Sequence, residues 1–583
     1  MKPGMPGPDK RIGFLAYLVL SCVTLYFFGG LITAAPLKNH ETPNIYYRVF
    51  EYVQELRVAG FPPALFPDAM HGGGFAFPLF YPPLGYYVGV VLMFLCKNAF
   101  FAANASLFLS VLVSAYTSYY AFSKVGSRSV ALAGALVYTT LPYRFVDSIA
   151  RGALAECWTF ACLPLIFCGG ILILRGENRK GFVMMCLATT ALLLSHAVMA
   201  MYFLAFCICM FLIICVVSRK WFALLYAAGA LAIAALLSAW YVLPQQLLWP
   251  LVKASDAKFM WADIVDAAKH NTDFSQFFFT DPTRWIGGSN EGLINDGMSF
   301  ELGLANVMLL FIIIGLPFWL RKRHASADIS EALLKYTTVA AWVVTVLFLM
   351  KCQWFLAHLP KQFLFIQFAW RMLGLTAFFC AASLVLFIND YPRTFRREIG
   401  VFTLGLLAVV TVNPSLRIIQ YDKTPPPSPL TLENVKENGD KGFVEISEYL
   451  PKTFMEHERA RLRSGEPTFI GDMDITTYTL TQAKSTVHVV ARTSSTLLLP
   501  LVSYPAYRAE TQDGRRLPLS NFNGLLIFEE IQPGDSVITI TRTMPPEQKT
   551  GVIISLASLA LFVIIYWLPV WNLGLRKDQE TAR

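Results

Sequence analysis

Long apolar runs recur from one end of this chain to the other, and no other feature narrows its folding as much. Twelve stand out: 12–35, 101–123, 129–142, 154–174, 182–195, 197–217, 221–242, 302–320, 334–350, 373–388, 401–412 and 552–570. A helix of about 20 apolar residues spans the hydrocarbon core of a bilayer. In lipid the backbone must satisfy its own polar groups, which a helix does. Several runs fall short of 20, so their edges are soft. Apolar residues make up 55% of the chain and charged residues 15%, where a soluble protein carries about a quarter charged. A single water-soluble enzyme and a disordered chain are both excluded. The run 84–96 has 13 residues and reads as a juxtamembrane or re-entrant helix. The first run is longer than a signal-peptide core and no small-residue cleavage site follows it, so it is expected to stay as a transmembrane helix.

Basic residues set the expected orientation. Lys2, Lys10 and Arg11 precede the first run. Lys124 and Arg128 follow the second, Arg175, Arg179 and Lys180 the fourth, and Arg219 and Lys220 the sixth. Arg321, Lys322 and Arg323 follow the eighth, Arg393, Arg396 and Arg397 the tenth, and Arg576 and Lys577 the twelfth. Every even-numbered exit is basic, which predicts both termini in the cytoplasm. The stretch 181–219 is basic at both ends, so it must cross twice, turning near His196. The net charge of +9 thus reads as topology, and no nucleic-acid partner is expected. The 11 cysteines lie almost entirely in apolar runs without metal-ligand spacing, as small apolar fillers do.

The expected fold is an α-helical polytopic membrane protein of about twelve transmembrane helices with a C-terminal extracytoplasmic β-rich domain. Residues 1–412 form the transmembrane domain, with outer segments at 36–100 and 244–301. Residues 413–550 form a polar domain, and 551–583 the final helix and cytoplasmic tail. The polar domain holds 15 Lys+Arg and 17 Asp+Glu, so it is near neutral. Its second half alternates as strands do at 485–491, 496–502, 524–529 and 536–542, which suggests a β-sandwich. The stretch 424–429, TPPPSP, reads as a stiff linker.

Charged residues cluster on the side expected to face outward: Glu41, Arg48, Asp68, His71, Arg144, Asp147, Arg151, Glu156, His196 and Arg371. Ionisable groups at membrane depth are expensive and mark function by default. Acids, arginines and aromatics converging from separate helices suit a cleft that anchors an anionic headgroup and activates a hydroxyl. Plainer readings stand beside this one. Arg144 and Asp147 have the spacing of a helical ion pair, Gly72, Gly73 and Gly74 can simply turn the chain, and His196 can cap a helix. No P-loop, zinc motif or nucleophile elbow is present.

The segments Phe61-Pro62-Pro63, Pro67-Asp68 and Gly72 to Tyr87, with Pro142-Tyr143-Arg144, Arg151-Gly152-Ala153-Leu154-Ala155-Glu156, Leu194-Ser195-His196, Gln367-Phe368-Ala369-Trp370-Arg371, Glu448-Tyr449-Leu450-Pro451 and Ser503 to Ala509, resemble a bacterial and archaeal membrane family. That family is labelled 6-pyruvoyl-tetrahydropterin synthase-related, and its layout is similar to the GT-C superfamily of glycosyltransferases. The resemblance implies an enzyme of the bacterial inner membrane. It would transfer sugar from a polyprenyl-phosphate-linked donor to a lipid, glycan or protein acceptor on the periplasmic face. It implies Glu41 as the base that deprotonates the acceptor. Arg144, Arg151 and Arg371 would hold phosphate, and Asp68, His71 and Glu156 would shape the site. The family's pattern has Asp where Glu41 stands and His where Ile45 stands. No cofactor is identified, and a divalent metal is left open. The label's own synthase is a soluble zinc enzyme, whose three histidine ligands have no counterpart here. A lipid-linked-sugar transporter and a non-catalytic envelope scaffold with a carbohydrate-binding module are the alternatives.

Overall fold

The computed structural model describes residues 10–256, 274–278, 298–311, 329–349, 369–391, 393–422, 430–431, 444–481, 484–568 and 571. Within these, the apolar runs are helices: α1 Lys10–Phe28, α2 Asn44–Val58, α3 Leu84–Cys96, α4 Ala99–Ser123, α5 Arg128–Thr140, α6 Leu154–Leu174, α7 Asn178–Leu193, α8 Ala197–Val217, α9 Trp221–Leu237, α10 Ala239–Leu248, α11 Ile329–Leu349, α12 Met372–Asn389, α13 Phe395–Val410 and α14 Pro546–Trp567. Seven of them (α1, α4, α6, α8, α11, α12 and α14) are long and apolar enough to cross a membrane, and α9 with α10 makes an eighth if that bent pair counts as one span. The expected spans at 129–142, 182–195 and 401–412 fall on α5, α7 and α13, of 13, 16 and 16 residues. Much of 302–320, the linker 424–429, Gln367 and Phe368 lie outside the described residues.

Burial separates the centre of the bundle from its rim. The spanning windows of α6 and α12 are 89% buried, and that of α14 only 11%. Exposed Leu, Ile, Val and Phe side chains band α1, α8, α13 and α14, as lipid-facing helices require. The run read as one span at 221–242 is instead broken at Ser238, where α9 and α10 diverge by 73°. The cause is α14. A Cβ on Gly551 would sit 2.3 Å from the Ala239 carbonyl oxygen, so only glycine lets the two backbones touch. Ser555 of α14 then accepts the Trp240 N–H at 3.0 Å and donates to the Leu236 carbonyl at 3.1 Å, serving backbone groups freed by the break.

The polar domain folds as two antiparallel sheets. One has the order β1-β4-β8-β7 (Thr468–Ile470, Ser495–Val502, Leu525–Ile531, Ser520–Phe522). The other has the order β2-β3-β9-β5-β6 (Met473–Leu480, Lys484–Ala491, Gly534–Arg542, Tyr507–Thr511, Arg516–Leu517). The four strands legible in the sequence are β3, β4, β8 and β9. The other five are short or exposed, and they close the sheets around a core that includes Val487, Val489, Leu497, Leu499, Phe528, Ile538 and Ile540.

This sandwich sits on the segment between α1 and α3. The three consecutive glycines are its seat: the Gly73 carbonyl accepts the Val502 N–H at 2.7 Å, and Gly74, at φ +85, leaves room for the Tyr507 hydroxyl where a Cβ would lie 2.5 Å away. Arg542 of β9 pairs with Glu55 of α2, both nearly buried. Burial pushes Glu55 up to about 7 against the opposing pull of Arg542, and pushes Glu51, with Asp68 and Glu55 near it, well above the usual carboxylate range.

Both carboxyls therefore hold protons more tightly in the folded protein than in the unfolded chain. The contribution of Glu55 to stability is fully present below the ordinary carboxylate pKa and is lost as pH rises through about 7. Thermal-unfolding scans between about pH 5 and pH 8 should show the midpoint falling with pH, and Glu55→Gln should flatten that slope. A slope that is the same in the variant would remove Glu55 from this account.

Candidate functional site

At the end of the bundle that carries the β-sandwich, the chain leaves α5 through Pro142 and forms a π turn, Val146–Arg151, before α6 begins. Turns of this kind are rare and concentrate at functional sites. The turn places Asp147 and Arg151 over the first turn of α6, where Glu156 rises to meet them. Arg151 Nη1 donates to Glu156 Oε2 at 2.7 Å, to the Tyr143 hydroxyl at 3.0 Å, and to Asp147 Oδ1. The Tyr143 hydroxyl donates in turn to Glu156 Oε1 at 2.7 Å. Arg371, from the 3-10 turn that opens α12, stands 3.7 Å from Glu156 Oε2. The Trp370 ring lies 4.4 Å from the Arg151 guanidinium, an electrostatically favourable face for a cation. Burial first, and Glu156 second, push Asp147 up to about 8.

Glu41 is tied to this cluster through the backbone. The His40 and Glu41 N–H groups donate to the Ala150 and Arg151 carbonyls, both at 3.1 Å. The junction requires Gly152: at φ +63, a Cβ there would meet the Asn39 amide at 2.5 Å, and Asn39 Oδ1 holds the Glu41 N–H at 3.1 Å. The Glu41 carboxylate is 30% exposed and accepts from Arg48 Nη1 at 3.1 Å. Arg48 itself is buried. It donates to the Tyr86 hydroxyl at 2.9 Å and lies 4.6 Å from the centre of the Phe77 ring. Burial works against its charge, and Tyr86 and Glu41 more than offset this, so its pKa is raised.

The other expected site residues take different places. Arg144 is closed into the bundle over the Phe160 ring at 3.9 Å and donates to Ser114 at 2.6 Å. The ion partner of Asp147 is Arg151 one turn on, rather than Arg144. His196 caps α8, its Nδ1 accepting the Met199 N–H at 3.2 Å, and burial pushes its pKa down to about 3. It is therefore a neutral cap whose ring senses Glu156, Arg371 and Arg151 electrostatically. Asp68 neighbours Glu51 and Glu55 under the sandwich. His71, at φ 58, lies on the turn next to the glycine seat.

The sequence reading leaves out three tyrosines that the fold brings in. Tyr143 bridges Arg151 and Glu156, and Tyr86 bridges to Arg48. Tyr449 comes from the polar domain, its ring stacked on Phe80 and its hydroxyl within electrostatic range of both Arg48 and Arg371. Aromatics are so frequent in this chain that spacing alone does not single these out. Among the described residues, no three His, Cys, Asp or Glu side chains converge as metal ligands would.

Removing Arg151 would strand the Glu156 carboxylate in the bundle without its hydrogen-bonded counter-ion and leave Asp147 without its donor. Arg151→Leu is expected to cost about 3–5 kcal/mol of stability, and adding Glu156→Leu to recover much of it. Thermal unfolding of the purified single and double variants checks this; a double variant no more stable than the single would contradict it.

Comparison with known proteins gives one sequence family and several folds. A family model described as "6-pyruvoyl-tetrahydropterin synthase related domain; membrane protein" matches residues 79–419. No curated protein matches the sequence. Among solved structures, the apo oligosaccharyltransferase of Archaeoglobus fulgidus is 12% identical with a TM-score of 0.41, covering 70% of this chain and 56% of its own. This chain thus spans little more than half the length of that protein. The arabinofuranosyltransferase AftD from Mycobacteria is 12% identical with a TM-score of 0.34, covering 77% of this chain and 27% of its own. ArnT from Cupriavidus metallidurans bound to undecaprenyl phosphate is 12% identical with a TM-score of 0.30, covering 68% and 78%.

Proposed function

We propose a function from one premise: the chain belongs to the 6-pyruvoyl-tetrahydropterin synthase related family of membrane proteins, and it acts as a glycosyltransferase that takes sugar from a polyprenyl-phosphate-linked donor. One observation carries this reading. A partly exposed carboxylate, Glu41, is hydrogen-bonded to Arg48 and strapped by two backbone bonds to the turn that bears Arg151. Such a pair supplies a base for the acceptor and cations for the leaving phosphate.

In this reading Arg151 and Arg371 hold the donor phosphate. With Asp147 largely protonated near neutral pH, two guanidiniums face one carboxylate, Glu156, which leaves a net positive charge for an anion. Glu41 takes the proton of an acceptor hydroxyl. The hydroxyl oxygen bonds to the anomeric carbon as the bond from that carbon to the phosphate oxygen breaks. The electron pair leaves with polyprenyl phosphate, and the anomeric centre inverts. Arg144, sealed under Phe160, props the turn instead of touching substrate. An apolar cavity of about 360 Å³ between α8 and α11, beginning at Tyr202 below His196, is a fitting bed for the lipid tail. The acceptor would be a lipid, a glycan or a protein.

The same reading has twelve crossings of a bacterial inner membrane, with both termini in the cytoplasm and the sandwich in the periplasm. Its support is charge placement. Lys124 and Arg175 meet at the end of the bundle opposite the sandwich, and Lys220 and Arg397 lie at that end too, as inward-facing loops require.

Purified protein mixed with a polyprenyl-phosphate-linked sugar should release polyprenyl phosphate. Glu41→Gln should lower the rate by 10²-fold or more, on the order of a general base's contribution, in a protein that still folds but with a lower unfolding midpoint, because buried Arg48 loses its counter-ion. Cleavage that persists in Glu41→Gln overturns the assignment of the base, and intact donor carried across a vesicle membrane overturns transfer itself. Donor affinity should also fall as pH rises through about 8, when Asp147 ionises and cancels the excess positive charge. Asp147→Asn should abolish that dependence.

A further inference from the structure

The end of the bundle opposite the sandwich has a cavity of about 650 Å³ that the transfer chemistry does not use. It lies where α6 and α8 end and α9 and α11 begin. Four charged residues line it: Arg175, Arg219, Lys220 and Glu331. Two of the cations have structural work. Lys220 Nζ donates to the Leu174 carbonyl at 3.0 Å and to Ser330 at 2.9 Å, joining α6 to α11. Arg175 reaches Lys124 and stands 3.6 Å from Glu331. Arg219 is different. It is exposed, and its backbone is left-handed at φ 55, a conformation that costs a non-glycine residue about 1 kcal/mol or more. Its position on the three-residue link from α8 to α9 sets its side chain at the cavity wall.

The floor of the cavity is apolar. Ile171, Leu174 and Leu334 belong both to it and to a narrow cleft that runs on between α6, α8 and α11 past Phe167 and Phe211. A basic chamber opening onto an apolar cleft at the end of a helix bundle is complementary to an amphiphile with an anionic head. The lining carries three cations against one carboxylate, Glu331, so the cavity is net positive.

We propose that this cavity is a binding site for an anionic phospholipid of the leaflet at that end of the bundle. Its phosphodiester would meet Arg219 and Lys220, and its acyl chains would run from the apolar floor at Leu334; the cleft beyond, about 30 Å³, is too small to hold one. Basic pockets between transmembrane helices bind lipid headgroups by this combination of charge and burial. The site lies at the far end of the bundle from Glu41 and is independent of the transfer reaction.

The test uses the full-length protein in detergent micelles doped with phosphatidylglycerol or phosphatidylcholine. Bound lipid is counted by native mass spectrometry and read again as a rise in the unfolding midpoint. Wild type should retain phosphatidylglycerol in preference to phosphatidylcholine. The Arg219 side chain makes no hydrogen bond among the described residues, so Arg219→Gln should fold normally and weaken that preference about fivefold, the worth of one basic residue at an anionic surface. Leu334→Trp, which crowds the apolar floor of the cavity, should lower retention of phosphatidylglycerol while inorganic phosphate has no effect on the midpoint. Equal retention of the two lipids, an unchanged preference in Arg219→Gln, or equal stabilisation by inorganic phosphate would each overturn the proposal.

Discussion

The end of the bundle that carries the site depends on a guanidinium with little water around it. Arg151 faces two carboxyls and a phenol from the stretch that joins α5 to α6 and the first turn of α6, and an indole ring from the turn that opens α12. In a low dielectric an uncompensated charge costs several kcal/mol, so the geometry of such a group is exacting. That requirement fixes the π turn before α6, the position of the 3-10 turn that opens α12, and through the Ala150 and Arg151 carbonyls the course of the chain at Glu41. The cluster therefore holds the bundle together and poises the candidate chemistry at once.

A second set of buried charges joins the sandwich to the bundle. Glu55, Glu51 and Asp68 crowd one another beneath Arg542, and the glycine seat closes the contact with a backbone hydrogen bond to Val502. Helix α2 carries both systems, with Arg48 facing Glu41 and, two turns on, Glu55 facing Arg542. Any tilt of the sandwich on its seat is consequently transmitted to Arg48 along one rigid helix. Tyr449 strengthens this link, because the polar domain sets its ring between the aromatic wall near Arg48 and the approach to Arg371.

Much of this was legible in the residues. Charges that interrupt apolar sequence are few; Glu41 meets Arg48, Arg151 and Arg371 meet Glu156, and backbone hydrogen bonds join the two groups, as their placement near the same ends of helices suggests. Asp68 carries the same signal, yet it lies beside Glu51 and Glu55, where Glu55 pairs with Arg542, which is remote in the chain and which no local pattern reveals. Arg144 sits only one helical turn before Ser148 and looks as available as Arg151, but the π turn rotates it under Phe160. The four long strands showed their alternation; β1, β6 and β7, of two or three residues, have too few positions to show any period.

The sequence by itself determined that this chain crosses a membrane, which runs become helices, and that a β-rich polar module precedes the last of them. Those outcomes follow from hydropathy and periodicity, which act on each segment independently of the rest. Tertiary structure alone decided which acid faces which arginine, that α9 and α10 part at Ser238 against Gly551, and that three consecutive glycines form the seat of the sandwich. These outcomes depend on contacts between residues hundreds of positions apart, where the energy of a buried charge or of a missing Cβ is set by the partner that packing brings to it.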